Sequence, residues 1–449
     1  MVDDRVAEGI FRVRRAIYTD RDIFALEMSR IFEATWIFIG HESELEAPHD
    51  YVTRHIGRQP IILMRDKHGT LGCFKNSCRH RGTLLCPHAS GNQKRHVCRY
   101  HGWMYDSAGH NIGIAAQAAG QYPSAFDSAD HNLAPVAKLD SYRGFIFASL
   151  SSQVPTLADH LGDAKNMLDL VADQAPNGLE YVPGPISYTF DGNWKLQFEN
   201  GLDSYHFPAT HAAFVNIIRQ RAPRALPDYL EEFAINGRPV AAGTLNFPRG
   251  HSTSWSIGVP GQGPEARPLT RDRAIFETVQ QRVGPQRLDW MLRQRNLTIF
   301  PNVQIIDIQS LQLRTWQPLA VDKTHMTSHC LAPRGESADA RRFRIRQYEE
   351  FFNAGGLATS DDNVMYELNQ HGLAATVTEG HSHSRGIGAE PAPVDHFSGL
   401  GLDDAACTYS AAGLSFGDET GIRNGYREWR RLMLNSPATP PESIENMSR

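Results

Sequence analysis

The sequence predicts an α+β protein in two unequal parts. A small, mostly β domain occupies residues 36–150 and a larger α+β domain residues 151–449, with a helical segment at 1–35 packing onto the larger one. Three observations predict this. Between 36 and 150, short β-rich runs such as QPIILMRD and GFIFASL alternate with turn signals such as KHGT and DSAGH. Beyond 150, helical patterns (LGDAKNMLDLVADQ, ADARRFRIRQYEEFFNAGG) mix with β-like runs (LTIFPNVQIIDIQSLQLRTW). A chain of 449 residues that is 41% hydrophobic can bury two or three separate cores.

At the start, Phe24, Met28, Ile31 and Phe32 recur at spacings of three and four, so residues 20–35 read as a helix with Asp20 as its cap. SSQVPT at 151–156 reads as a linker, and Gly355-Gly356 as a helix stop. The tract 380–401, rich in Gly, Pro and Ser, reads as an irregular loop. The net charge of −5 and the pI near 6.5 give no reason to expect nucleic acid or an anionic membrane as partner. No apolar run approaches a membrane span, and the opening MVDDRVAEGIFRVRR has no apolar signal-peptide core, so a cytoplasmic location is expected. Six cysteines do not make a disulfide framework. Three of them lie within 78–98 beside histidines, which suits a metal site in a reducing compartment.

That cluster reads CRHRGTLLCPHASGNQKRHVCRYH, residues 78–101. Cys78-x-His80 and Cys98-x2-His101 each set one thiol and one imidazole in a short loop, with residues 81–97 as a connecting excursion. Cys86 and His88 repeat the first spacing but leave a tighter connection. Zinc fingers present paired Cys and paired His instead. Cys78-Arg79-His80-Arg81-Gly82 with Cys98-Arg99-Tyr100-His101-Gly102-Trp103 resembles a Rieske [2Fe–2S] motif. The resemblance implies that Cys78 and Cys98 hold one iron and His80 and His101 the other. Cys86, His88 and His96 are then ordinary residues of the connection, and Cys73, Cys330 and Cys407 plain structural thiols.

A second constellation is NWKLQFENGLDSYHFPATHAAF, residues 193–214. Asp203 and His206, three apart, would share one face of a helix that Pro208 then breaks, and His211 follows. Two His and one carboxylate make the facial triad of non-haem Fe(II) oxygenases, although a lone His pair is more often structural. NWK, then EN, then Asp-x2-His-x4-His resembles the iron motif of Rieske-type aromatic-ring-hydroxylating oxygenase large (alpha) subunits. The resemblance implies a catalytic domain built on an antiparallel sheet with helices, holding a mononuclear Fe(II). It makes His206 and His211 iron ligands. It makes Asp203 a carboxylate bridging to the Rieske His101 of a neighbouring subunit, and Asn200 a polar residue near the iron. In ATSDDNVMYELNQ, Ser360 reads as a helix cap with Asp361 and Asp362 in the first turn, where the helix dipole alone would favour acids. The resemblance assigns the third ligand to Asp362, with Asp361 as fallback.

FALEMSRIFEATWIFIGHESEL, GRQPIILMRD, DGNWKLQFENGLDSYH, RNLTIFPN and RIRQYEEFFNAGGLATSDD most resemble the large subunits of benzoate, toluate and anthranilate dioxygenases. That group implies dihydroxylation of an aromatic carboxylate with O2 and electrons from NADH through a reductase, with a ferredoxin as a further candidate carrier. It also implies a trimer, α3β3 with a small β subunit. FPATHAAF departs from the group's pattern: Ala212 and Ala213, with Ala358, suggest a roomier pocket, a bulkier acid, or a monohydroxylase of a hydroxybenzoate such as salicylate. Arg219 and Arg221 are candidates to bind the substrate carboxylate, although surface arginines are an equal reading. Phe214, Val215, Ile217, Phe300, Asn302 and Ala358 are candidate pocket residues.

Overall fold

The computed structural model describes residues 1–203, 205–221, 242–256, 267–308, 310–376, 380–388, 397–403, 406–410 and 418–435. Two compact units emerge: Phe32–Leu157, and Met1–Ile31 together with Ala158–Arg449.

The smaller unit is built from three small antiparallel sheets. One runs in the order Leu71–Lys75, Gln59–Arg65, Asp50–Ile56, Ser90–Asn92. A second runs Asn111–Gly113, Met104–Asp106, Arg95–Val97, and a third Lys138–Tyr142, Phe145–Ser149, Ile37–His41. QPIILMRD and GFIFASL are strands here, as their β-branched and aromatic content suggests. Every residue of Phe145–Ser149 is buried, which is why that run is continuously apolar instead of alternating. Tyr51, Ile62, Met64, Trp103 and Tyr105 pack with Cys78, Cys86 and Cys98 in one core.

Among the described residues, the larger unit is organised by a nine-stranded sheet in which every pairing is antiparallel. Its centre comprises Gln294–Ile299, Val303–Asp307, Leu311–Ala320 and Lys323–Pro333. These central strands carry buried polar groups whose partners come from neighbouring strands and from covering elements. Asp307, for example, accepts from Arg267, Arg295 and Gln174.

Several expectations shift. The first 35 residues are not helical throughout. Val2–Arg5 and Ile10–Val13 form a hairpin, and helix begins at Ala16–Thr19 and Arg21–Glu27, the latter capped by Asp20 as expected and continuing through a π turn at Met28–Phe32. Ile10–Val13 also pairs with His381–Ser382, so the 380–401 tract is not wholly irregular; its residues 389–396 lie outside the described residues. The glycine pair does not stop a helix. Ala338–Gln347 and the π turn Tyr348–Phe352 end at Asn353, and Gly356 instead opens Leu357–Leu373. A Cβ at Gly356 would sit 2.8–2.9 Å from the carbonyl oxygens of Phe351 and Glu349, so only glycine fits the approach.

The helix Trp194–Asn200 is anchored before it reaches the functional region. Asn193 caps it, accepting from the Lys195 N–H and donating to the Val321 carbonyl at 2.7 Å. Buried Lys195 meets Glu27 at 2.6 Å, and Glu27 also accepts from the indoles of Trp194 (2.9 Å) and Trp429 (2.7 Å). The NWK triplet is therefore the foot of this helix.

Candidate active site

In the smaller unit two loops close in the same way. The Cys78 N–H donates to the Thr83 carbonyl (2.9 Å) and the Gly82 N–H to the Cys78 carbonyl (2.9 Å). Cys98 does the same with the Trp103 carbonyl (2.8 Å) and the Gly102 N–H (2.9 Å). Gly82 and Gly102 have φ of 72° and 69°, the left-handed turn that glycine tolerates. The loops bring His80 and His101 together, with ring centroids 4.5 Å apart, and Trp103 stacks on His80 at 5.1 Å. The Cys78 and Cys98 sulfurs are buried, and the Tyr105 hydroxyl lies 3.4 Å from the Cys78 sulfur. Burial holds the His80 imidazole below its ordinary pKa, the neutral form that a metal needs, and its Nδ1 is buried without a hydrogen-bond partner among the described residues. These donors fit a cluster with two thiolate and two imidazole ligands. Cys86 is tied into the connection by paired bonds with Asn76 (2.8 and 2.9 Å), and His88 is exposed.

In the larger unit Trp194–Asn200 ends before Asp203. The Asp203 carboxylate accepts the Tyr205 N–H at 3.1 Å, a local turn that competes with helix. Asp203 and His206 therefore face each other across a turn and not along a helix. Pro208 lies in the first turn of the short helix Phe207–Thr210, where its missing N–H costs nothing; it starts a helix instead of breaking one. Ala212–Arg221 follows. His206 Nε2 and His211 Nε2 lie 3.6 and 3.3 Å from the same oxygen, Asp362 Oδ1, and one ligand atom from each of the three residues falls within 4.8 Å of the others. Asn200 Nδ2 donates to that oxygen at 3.0 Å and lies 3.4 Å from His206 Nε2. Behind the rings, Asp203 sits 3.8 Å from His206 Nδ1 and Asp361 3.4 Å from His211 Nδ1. Two imidazoles and one carboxylate, each imidazole backed by an acid, are a donor set suited to a divalent transition metal with open positions.

Two families match the chain. The Rieske [2Fe-2S] domain matches residues 35–138, and the ring hydroxylating alpha subunit (catalytic domain) matches residues 180–434. The chain belongs to the ring-hydroxylating alpha subunits. It is a Rieske non-haem iron oxygenase, with a [2Fe–2S] domain and a mononuclear-iron catalytic domain. Curated alpha subunits similar to it include the toluate 1,2-dioxygenase subunit alpha of Pseudomonas putida, 39% identical over 83% of this chain and 82% of the relative. The anthranilate 1,2-dioxygenase large subunit of Acinetobacter baylyi is 38% identical over 97% and 92%. Among solved structures, naphthalene 1,2-dioxygenase from Rhodococcus sp. bound to indole superposes with a TM-score of 0.80 at 27% identity, covering 94% of each chain. No helix among the described residues is long and apolar enough to cross a membrane.

In this alpha subunit Asp362 is not in a first helical turn. Leu357–Leu373 starts at Gly356, the Ser360 hydroxyl donates to the Gly356 carbonyl (2.9 Å) instead of capping, and Asp362 falls in the second turn on the buried face with Ala358, Thr359 and Tyr366. The dipole explanation for the acid pair therefore lapses. Burial alone would raise the Asp362 pKa, but the hydrogen bond from His211 and the charges of His206, His211 and Arg314 bring it below the ordinary carboxylate value. Burial lowers the His206 pKa, and Asp203 and Asp362 more than reverse it.

The other pocket candidates scatter. Phe214 packs on Phe351 (4.4 Å) and Phe207 (6.4 Å), and Phe351 lies 5.7 Å from the His211 ring, so these aromatics wall one side of the triad. Phe300 is core, packed on Trp194 and Phe198 at 6.2 and 5.8 Å. Asn302 is buried and its carbonyl accepts the Trp316 N–H (3.3 Å); Ile217 is half-buried on Ala212–Arg221. The side chains of Val215, Arg219 and Arg221 lie outside the described residues, as does that of Cys407.

Sequence reading missed a buried cluster beside Asn200. Glu199 accepts from the hydroxyls of Tyr18 and Tyr426, and the Tyr18 hydroxyl also meets His381 Nε2 at 2.9 Å. Burial pushes the Glu199 carboxyl up to about 7. These partners lie far apart in sequence, and the isolated residues carry no motif.

Proposed function

We propose that this chain is the large subunit of an aromatic-ring dioxygenase acting on a benzoate-, toluate- or anthranilate-like carboxylate. The observation that carries this is the convergence of His206, His211 and Asp362 on one point, beside Asn200, in a chain that also carries the Rieske loops. Relatives named as toluate, 2-halobenzoate and anthranilate dioxygenases support the substrate class. Cys78 and Cys98 hold one iron of the cluster and His80 and His101 the other. His206, His211 and Asp362 hold the mononuclear iron, which when bound supplies dioxygen activation. Asp361 fixes the His211 ring through Nδ1, Asp203 sets its charge 3.8 Å from the His206 Nδ1, and both rings keep Nε2 toward the metal. Asn200 holds the Asp362 carboxylate in place. Phe207, Phe214 and Phe351 present an apolar wall to an aromatic ring and exclude water from it.

Electrons come from NADH through a reductase, with or without a ferredoxin, and Asp203 links the iron site to His101 of the partner subunit in an α3β3 assembly in the cytoplasm. Purified protein should contain three irons and two inorganic sulfides per chain and absorb visible light. With its reductase and labelled dioxygen it should place two labelled atoms on one substituted benzoate. A colourless protein, or one with two irons, would remove the proposal; a single labelled atom would make it a monohydroxylase.

A further inference from the structure

Arg314 lies on the strand Leu311–Ala320, in register with Gln304 on one side and Ser328 on the other. Gln304 donates to the carbonyls of Gln197 and Phe198, and Gln312 to that of Phe352. This face of the sheet therefore lies under Trp194–Asn200 and under the turn that leads into Leu357–Leu373, the two helices that carry Asn200 and Asp362. Arg314 is 3% exposed. Its Nη2 donates to Thr359 Oγ1 at 2.8 Å and to the Phe352 carbonyl at 3.4 Å. Thr359 is on the buried helix face one turn before Asp362.

Among the described residues no carboxylate forms an ion pair with Arg314, its Nε is buried without a hydrogen-bond partner, and its Nη1 makes no hydrogen bond. Its buried counterparts each reach a carboxylate or three acceptors. Arg267 and Arg295 share Asp307, and Arg344 holds Glu336. Arg423 gives its guanidinium to the His383 and Arg385 carbonyls and the Thr420 hydroxyl. A guanidinium taken out of water without an anion is costly, and the cost falls away when a carboxylate arrives to meet it.

We propose that Arg314 binds the carboxylate of the aromatic acid and so holds the ring beside His206, His211 and Asp362. This rests on the reading of the chain as an aromatic-carboxylate dioxygenase. Nη2 is held by Thr359 and Phe352, which fixes the plane of the guanidinium and leaves the Nε–H and the Nη1 hydrogens, on different edges of that plane, each to meet a carboxylate oxygen. The neighbouring aromatics supply the apolar part of the grip. Ala358, adjacent to Thr359 and 2% exposed, adds no bulk there. The positive charge of Arg314 also acts on the Asp362 carboxylate. An incoming substrate carboxylate neutralises that charge.

The test measures equilibrium binding of 3-methylbenzoate and its neutral isostere 3-methylbenzamide to holoenzyme by calorimetry, with turnover of the acid alongside. Arg314→Gln, which removes the charge and keeps a polar amide, should weaken the acid on the order of a hundredfold, the loss of charge-assisted hydrogen bonds, and the amide far less. Arg314→Lys keeps the charge and loses the planar guanidinium donors, and should recover part of the acid's affinity. Cluster absorption and iron content equal to wild type show that each variant has folded. If the glutamine variant does not fold, the acid-to-amide ratio of the lysine variant still decides, because it should fall. Acid and amide weakening in parallel would make Arg314 a structural strut and overturn the proposal, as would acid binding left unchanged. A wild-type enzyme that binds and oxidises no aromatic acid would instead fail the substrate reading itself, before any variant is made.

Discussion

Asp361 and Asp362 are adjacent carboxylates, and the structure gives them different work. Asp362 points its Oδ1 at both imidazole Nε2 atoms, whereas Asp361 approaches the far nitrogen of His211 at 3.4 Å. Replacing Asp361 by Ala should therefore weaken iron without removing a ligand. Carboxylates behind a metal-bound imidazole typically change affinity by roughly ten- to a hundredfold. The 3.4 Å separation is long for a charge-assisted hydrogen bond, and the Asp361 side chain is 33% exposed and so partly screened by water. Both place Asp361→Ala at the low end, about tenfold, or ~1.4 kcal/mol. Asp203 lies 3.8 Å from His206 Nδ1, so Asp203→Asn should cost iron affinity less still while it abolishes turnover. Asp362→Ala should lose iron outright. The assay is iron retained after dialysis against graded concentrations of a ferrous chelator, with visible absorption of the cluster as internal reference. Asp361→Ala releasing iron as readily as Asp362→Ala would refute the division, and iron kept by Asp362→Ala but lost by Asp361→Ala would reverse it.

Glu27→Ala leaves the buried Lys195 ammonium without its carboxylate and should cost about 3–5 kcal/mol in chemical denaturation; Glu27→Gln combined with Lys195→Met should be milder. Glu199 has its folded pKa raised from 4.5 to about 7, so its contribution to stability is full below about 4.5 and is lost as pH rises to about 7, on the order of 3 kcal/mol in all. Glu199→Gln should flatten that part of the stability–pH curve, and an unchanged slope would show that the carboxyl is not held protonated. Tyr105→Phe removes the hydroxyl 3.4 Å from the Cys78 sulfur and should lower the cluster's reduction potential in voltammetry while its absorption persists.

Much of this was legible in the chain because the chemistry is local. The Cys and His of each Rieske loop lie within four residues, and a glycine at a fixed offset marks the turn. The strands QPIILMRD and GFIFASL announce themselves by composition. What failed was local geometry set by competing interactions. The Asp203–His206 spacing fits a helix, but the Asp203 carboxylate captures the Tyr205 N–H and makes a turn. Ser360 looks like a cap, yet the tight approach of Gly356 to two carbonyls moves the helix start back. Arg314 was illegible for another reason. It sits in LQLRTW, an ordinary strand sequence, and only the sheet register sets it under two helices drawn from distant parts of the chain.

The two proposed metal sites also differ in when they can exist. Every donor of the Rieske loops lies between residues 78 and 101, in a unit that ends at Leu157. The second set is complete only when the helix carrying Asp361 and Asp362 has been synthesised, 150 residues after His211 in the case of Asp361. A nascent chain on the ribosome can therefore accept its cluster early, while mononuclear iron must wait until the carboxyl-terminal part has folded back. A ribosome-stalled chain that ends before residue 361 should then take up the two irons of the cluster and none at the second set.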